Sequence, residues 1–352
     1  MSKAPVRTLL SAAALLVIGF CISSQITPAA AESPAPKAKP LNDAFFYPDF
    51  KTRRITRFKI GEDRRQFGAL TYLGGFEILS SDRNIGGLSG VLSLEGGKQL
   101  LMLTDNGRWV FAELDQTPNG TPIGLESVRY AQLRNAKGET LDQSWGHNTE
   151  ALAVLNNAIY VAAERANAIY EFPWPLKTGR DRMRRQLKVS DGIKSLPKNT
   201  GLEGLAAGPE GSLMQDTLLA VAERSPKDST LLPAYLFKGG AEARFDIQRS
   251  DNYDATDAAF LPGGDLLLLE RRFNLRDLLG MRIRRFAAAS LLPGAELVGE
   301  VLLDADFTYQ IDNMEGLAVH QTNDGKTILT VVSDNNRSIL QRTLLLRFEL
   351  HN

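Results

Sequence analysis

From residue 88 onward, short apolar runs alternate with polar punctuation, and one pattern recurs. Asn148-Thr149-Glu150-Ala151-Leu152-Ala153 is echoed by Gly201-Leu202-Glu203-Gly204-Leu205-Ala206 and by Asn313-Met314-Glu315-Gly316-Leu317-Ala318. Gly87-Leu88-Ser89-Gly90-Val91 and Thr256-Asp257-Ala258-Ala259-Phe260 fit the same frame more loosely. Taken at positions 89, 150, 203, 257 and 315, the copies stand 61, 53, 54 and 58 residues apart. Each is followed by a turn built from glycine, asparagine, aspartate or proline: Gly96-Gly97-Lys98, Asn156-Asn157, Gly208-Pro209, Pro262-Gly263-Gly264-Asp265 and Asn323-Asp324-Gly325. These residues suit hairpin turns because they tolerate positive φ or fix it. A second apolar run then follows, at 100–104, 159–163, 218–222, 266–269 and 328–332. The runs are short and partly β-branched, as buried strands are. Helical periodicity is nearly absent, and its best stretch, 275–286, reads as a loop insertion.

Hairpins repeating at this period predict an all-β fold, a β-propeller with four-stranded antiparallel blades. The spacing leaves room for six blades, the sixth assembled from 55–79 and 344–350. A sandwich or a parallel β-helix does not account for so long a period.

Each second run ends in charge: Thr104-Asp105-Asn106, Glu164-Arg165, Glu223-Arg224, Glu270-Arg271-Arg272 and Ser333-Asp334-Asn335-Asn336-Arg337. In an antiparallel hairpin the start of one strand faces the end of the next. Glu150 should therefore neighbour Glu164, Glu203 Glu223, Asp257 Glu270, and Glu315 Asp334, all at the mouth of the central channel with Asp105. Like charges so close raise one another's proton affinity and favour proton sharing, cation binding or arginine pairing. The candidate metal set is Asp105, Glu150, Glu164, Glu203, Glu223, Asp257, Glu270, Glu315 and Asp334. Arg165, Arg224, Arg271, Arg272, Arg337 and Asn335 are the candidates for holding an anionic group. Glu150, Glu203 and Glu315 are the candidate catalytic carboxylates, with His147 as a proton-transfer group at the rim. The competing reading of the repeated glutamates is structural: they stitch neighbouring blades together. His320 falls inside a strand and reads as packed. The runs 180–185 and 282–285 read as solvated basic loops.

Composition narrows the chemistry. Lysine plus arginine (41) balances aspartate plus glutamate (41), so no global field recruits nucleic acid. Lys3 and Arg7, an apolar core at 9–20 and Ala29-Ala30-Ala31 predict a signal peptide over 1–31, cleaved near Ala31. Phe20 stands before Cys21, where a lipoprotein signal needs a small residue. Residues 32–42 predict a flexible leader, 43–352 a single domain, and the address is periplasmic or secreted with no membrane span. Cleavage removes the only cysteine, leaving no disulfide and no thiolate ligand. Oxygen donors alone suit a hard cation, calcium first. No P-loop, dinucleotide fingerprint, zinc-protease helix or EF-hand loop occurs.

The Glu-[Ala/Gly]-Leu-Ala units at Glu150, Glu203 and Glu315, with their Glu-Arg or Ser-Asp-Asn-Asn endings and the stretch Asp257 to Asp265 running into Leu269-Glu270-Arg271-Arg272, resemble the phytase-like family of bacterial exported proteins, "esterase-like activity of phytase". The resemblance spans roughly residues 65–350. It implies a propeller and hydrolysis of phosphate or related esters. Compared with calcium-dependent β-propeller phytases, the chain has the carboxylates but lacks an Asp-Asp-Pro-Ala run, which argues against phytate itself. The expectation is a monomeric, exported, calcium-assisted phosphoester hydrolase taking a small anionic or phosphorylated ligand. The alternative is a non-catalytic propeller of the cell envelope that binds a ligand or a protein.

Overall fold

The computed structural model describes residues 44–141, 148–274 and 278–351. The expected signal peptide, the leader and His147 lie outside the described residues. Five sheets form a ring, a β-propeller. Blade 1 runs Leu88–Leu94, Gln99–Thr104, Arg108–Gln116 and Pro122–Gln132; blade 2 runs Thr149–Leu155, Ala158–Ala163, Ala168–Pro173 and Arg185–Gln186. Blade 3 comprises Leu202–Ala207, Thr217–Ala222, Leu231–Lys238 and Ala241–Gln248, with Glu296–Leu297 added in parallel at its outer edge. Blade 4 comprises Asp254–Phe260, Leu266–Asn274, Leu278–Phe286 and Glu300–Asp306. Blade 5 begins with Asn313–Gln321, Thr327–Asp334 and Thr343–Leu350. The first strands of successive blades pack on one another, and that of blade 5 packs on that of blade 1, closing the circle.

The ring has five blades, not the expected six. The N-terminal strands Leu70–Leu79 and Lys51–Ile55 found no new blade; Leu70–Leu79 pairs antiparallel with Thr343–Leu350 and completes blade 5. The physical reason is the sheet edge. Without them Thr343–Leu350 would present unpaired backbone N–H and C=O groups, and supplying the partner from the other chain end covers that edge. Aromatic packing holds the seam: fully buried Phe58 meets Phe67 and Phe348 edge-on and stacks on Tyr72.

From residue 278 on, the stretch read as a loop insertion is a strand. Leu278–Phe286 lies between two others of blade 4, with Met281 and Ile283 in the core. Arg282 and Arg284, read as solvated, are buried on the other face of the same strand, because Glu270 stands opposite Arg282 in register and takes both guanidiniums. His320 is buried, as its strand position implied. No helix among the described residues is long and apolar enough to cross a membrane.

Candidate functional site

Every inner strand carries a β-bulge at the same place. The register slips across Leu88/Gly90, Thr149/Ala151, Leu202/Gly204, Ala255/Asp257 and Met314/Gly316. The extra residues are therefore Ser89, Glu150, Glu203, Thr256 and Glu315. A bulge re-aims one side chain out of the sheet's alternation, so the repeat unit is a device for pointing one residue per blade at a common place. In blades 1, 2, 3 and 5 the residue after the bulge is small (Gly90, Ala151, Gly204 and Gly316), because inner strands approach closely there. A Cβ on Gly316 would lie 3.1 Å from the Gly90 backbone, and one on Gly204 3.1 Å from the Ala258 nitrogen. In blade 4 the structural equivalent is Thr256, one residue before the Asp257 assigned from sequence.

Three blades supply glutamates and two supply hydroxyls, and the chemistry differs accordingly. Ser89 Oγ donates to the Thr149 carbonyl at 2.6 Å, and Thr256 Oγ1 to the Met314 carbonyl at 3.1 Å, each tying its blade to the next. Glu150, Glu203 and Glu164 instead converge: one oxygen from each lies within 4.8 Å of the other two. Asn148 Nδ2 and the Gly201 N–H hold Glu164, at 2.7 and 3.2 Å. Glu150 and Glu203 are only 8% and 6% exposed, and among the described residues neither carboxylate accepts a hydrogen bond. Burial pushes both well above the usual carboxylate range; Glu315 and Glu164 add to this for Glu150, and Glu150 and Glu164 for Glu203.

Beside this trio stands a cation, Arg271. Arg271 donates to Asn313 and lies 3.1 Å from Glu315; Glu315, and less strongly Glu203, Glu223 and Glu150, hold its proton all the more tightly. Asn313 Nδ2 donates to Glu315 at 2.8 Å. Burial lifts Glu315 to about 7 even with Arg271 pulling it down, and burial with Asp105 lifts Asp334 to about 6. Glu223 is raised by burial against the opposing pull of Arg271 and Arg224. The mouth thus gathers Glu150, Glu164, Glu203, Glu223, Glu315, Asp334 and Asp105 around few cations.

Other candidates from the sequence are engaged elsewhere. Asp257 accepts from the Leu317 and Ala258 N–H groups, both at 2.8 Å, and from Leu205. It joins the inner strands of blades 3, 4 and 5, the stitching role weighed for the glutamates. Glu270 does not neighbour Asp257. It faces Ala255 across the hairpin and is fully buried between Arg282 and Arg284, because those guanidiniums lie on its side of the blade. Arg272 stacks on Tyr253. Arg337 pairs with Asp105 and donates to the Gly86 carbonyl, while Asn335 Oδ1 accepts from the Gly87 N–H, so both lock blade 5 onto blade 1. Arg224 bridges Asp254 and Glu223. Arg165 is exposed, beside Glu164, and forms no ion pair among the described residues. Asn148 and Asn313 were missed, although each stands two residues before a repeated glutamate; that spacing was the available signal.

No curated protein matches the chain. Among solved structures, Myxococcus xanthus glutaminyl cyclase overlaps at a TM-score of 0.37 with 12% identity, covering 76% of this chain and 92% of that one. A chain of the Chaetomium thermophilum Polycomb Repressive Complex 2 bound to GSK126 gives 0.39, 10%, 76% and 71%. A putative 6-phosphogluconolactonase from Bacteroides uniformis gives 0.32, 14%, 78% and 80%. The family model Phytase-like, described as esterase-like activity of phytase, matches residues 83–337, so the chain belongs to the Phytase-like family.

Proposed function

We propose that this protein is a hydrolase that cleaves an anionic ester, a phosphoester first, at the channel mouth, with calcium or a similar hard cation held by Glu150, Glu164 and Glu203. The observation that carries the reading is the pair of buried carboxylates, Glu150 and Glu203, that accept no hydrogen bond among the described residues. A buried charge needs a partner, and an all-oxygen trio within 4.8 Å is a donor set that suits a hard cation. The local balance points the same way: the carboxylates at the mouth outnumber Arg271, Arg224 and Arg337, which pair with them, so the mouth disfavours an anionic ester unless a further cation intervenes. When bound, such a cation would neutralise the ester's charge and make a water more acidic. The chain's own residues do the rest. Glu315, with a proton affinity near neutrality, accepts and returns a proton at its free oxygen, and Arg271 keeps it oriented through Asn313. Export belongs to the same proposal and rests on the sequence of residues 1–31.

The test is turnover of p-nitrophenyl phosphate and bis-p-nitrophenyl phosphate by the purified protein, with calcium and with chelator, alongside melting curves. The reading expects chelator-sensitive turnover, a calcium-dependent rise in Tm, and loss of both in Glu203→Gln at unchanged folding. A calcium-raised Tm with no turnover on any ester would replace it by the binding-only propeller.

A further inference from the structure

A second site lies away from the mouth, where the inner strands of blades 1 and 2 turn back. A cleft of about 380 Å³ opens there, walled by Leu101 and Phe111 of blade 1 and by Trp174 and Leu176 beyond the third strand of blade 2. That volume is within the range of small-molecule sites. Its charged groups are Glu95, Glu113 and Arg129. Among the described residues, neither carboxylate takes part in a hydrogen bond or ion pair, and Arg129 touches only ring faces, with its guanidinium 5.1 Å from the Phe45 ring and 5.2 Å from that of Phe111. Opposite charges thus share one lining without neutralising each other.

Glu95 adds a backbone argument. It is the first residue after the inner strand and sits at φ 50, in the left-handed region; blade 2 places Asn156 at φ 54 at the same point. Asparagine visits this region readily and glutamate does not. A strained glutamate at the lip of a cleft is an outlier that asks for a functional reason.

We propose that this cleft binds a small zwitterion with an apolar body, a free apolar amino acid or dipeptide: its ammonium meets Glu95 and Glu113, its carboxylate meets Arg129, and its side chains lie between Trp174 and Phe111. The site is independent of the chemistry at the mouth. Isothermal titration of the full-length protein with leucyl-leucine, leucyl-leucinamide and N-acetyl-leucyl-leucine separates the two charge contacts. Saturable binding of the dipeptide is expected, weakened roughly tenfold when either end is blocked, as for loss of one charge-assisted contact. Arg129→Met and Glu113→Gln are each expected to weaken it by about as much, with ester turnover unchanged. Glu95→Asn matches the blade 2 turn and should fold at least as well, so weaker binding in that variant reports the lost charge rather than damage to the fold. Absence of saturation with the dipeptide, a blocked form that binds as tightly as the dipeptide, or wild-type affinity in Glu95→Asn would each overturn the proposal.

Discussion

Glu270 and the pair Glu150 and Glu203 are all buried glutamates of the same ring, yet their surroundings differ in kind. Glu270 accepts from Arg282 Nε at 2.8 Å and from Arg284 Nε and Nη2 at 2.8 and 2.6 Å, so two fixed forks saturate its oxygens. Glu150 and Glu203 meet other carboxylates and, among the described residues, no donor. Burial alone therefore does not separate a structural acid from a functional one. The supply of donors does, since a buried charge left without partners costs free energy that folding does not need to spend. Asp257 falls on the structural side by the same measure, its carboxylate saturated by backbone N–H groups of three strands.

The comparison breaks most visibly at Glu270. Glu270→Ala strands two buried guanidiniums, and its cost should be about 3–5 kcal/mol, the range for breaking a buried ion pair. Urea unfolding measures it, and the calcium response of the folded fraction should be intact. A loss below about 1 kcal/mol would place Glu270 with the mouth residues instead.

The next effect is a pH dependence of opposite character. Glu315 moves from an ordinary 4.5 to about 7, and Asp334 from 3.8 to about 6. The native state therefore binds protons more tightly than the unfolded chain between these limits. The stability this provides is present below about pH 4 and is lost as pH rises through 6 and 7, with a size on the order of a few kcal/mol. Without cations, Tm should fall between pH 5 and pH 8. Calcium should flatten the profile, and so should Glu203→Gln, which removes one repelling charge. A Tm that rises across this window would mean that the carboxylates are already paired.

The period of the propeller was readable because every blade buries the same kind of apolar hairpin, and the three glutamates were readable because each sits on the same bulge before a small residue, Ala151, Gly204 or Gly316. What escaped has physical causes. The blade count failed at Leu70–Leu79, a strand that carries no repeat motif and whose partner lies at the opposite chain end. Blade 4 slipped by one residue because Thr256 offers a hydroxyl where three other blades offer a carboxylate, and the conspicuous acid is its neighbour. Arg282 and Arg284 looked solvated because a charged strand face resembles a loop until its partner is known, and Glu270 lies twelve residues upstream. The mouth carboxylates were read as equivalent because like residues give no hint of which ones find donors.

Two smaller effects sharpen the division. Asp257→Asn turns an acceptor into a donor against backbone N–H groups, and about 1–3 kcal/mol of stability should go with it while turnover per folded molecule stays; thermal melts and a rate assay at matched folded concentration separate the two. The smallest effect belongs to Arg165. Arg271 is committed to Glu315, Arg224 to Asp254 and Arg337 to Asp105, whereas Arg165 stands exposed beside Glu164 without an ion pair among the described residues. It is the predicted guanidinium that can meet an anionic ester without breaking an existing bond. Arg165→Ala should leave stability within about 0.5 kcal/mol and kcat unchanged, and raise KM roughly fivefold, a rim-charge effect worth about 1 kcal/mol that added salt erases. An unmoved KM for p-nitrophenyl phosphate would mean that the ester approaches over another blade, and that exposure without a partner does not by itself mark an anion contact on this rim.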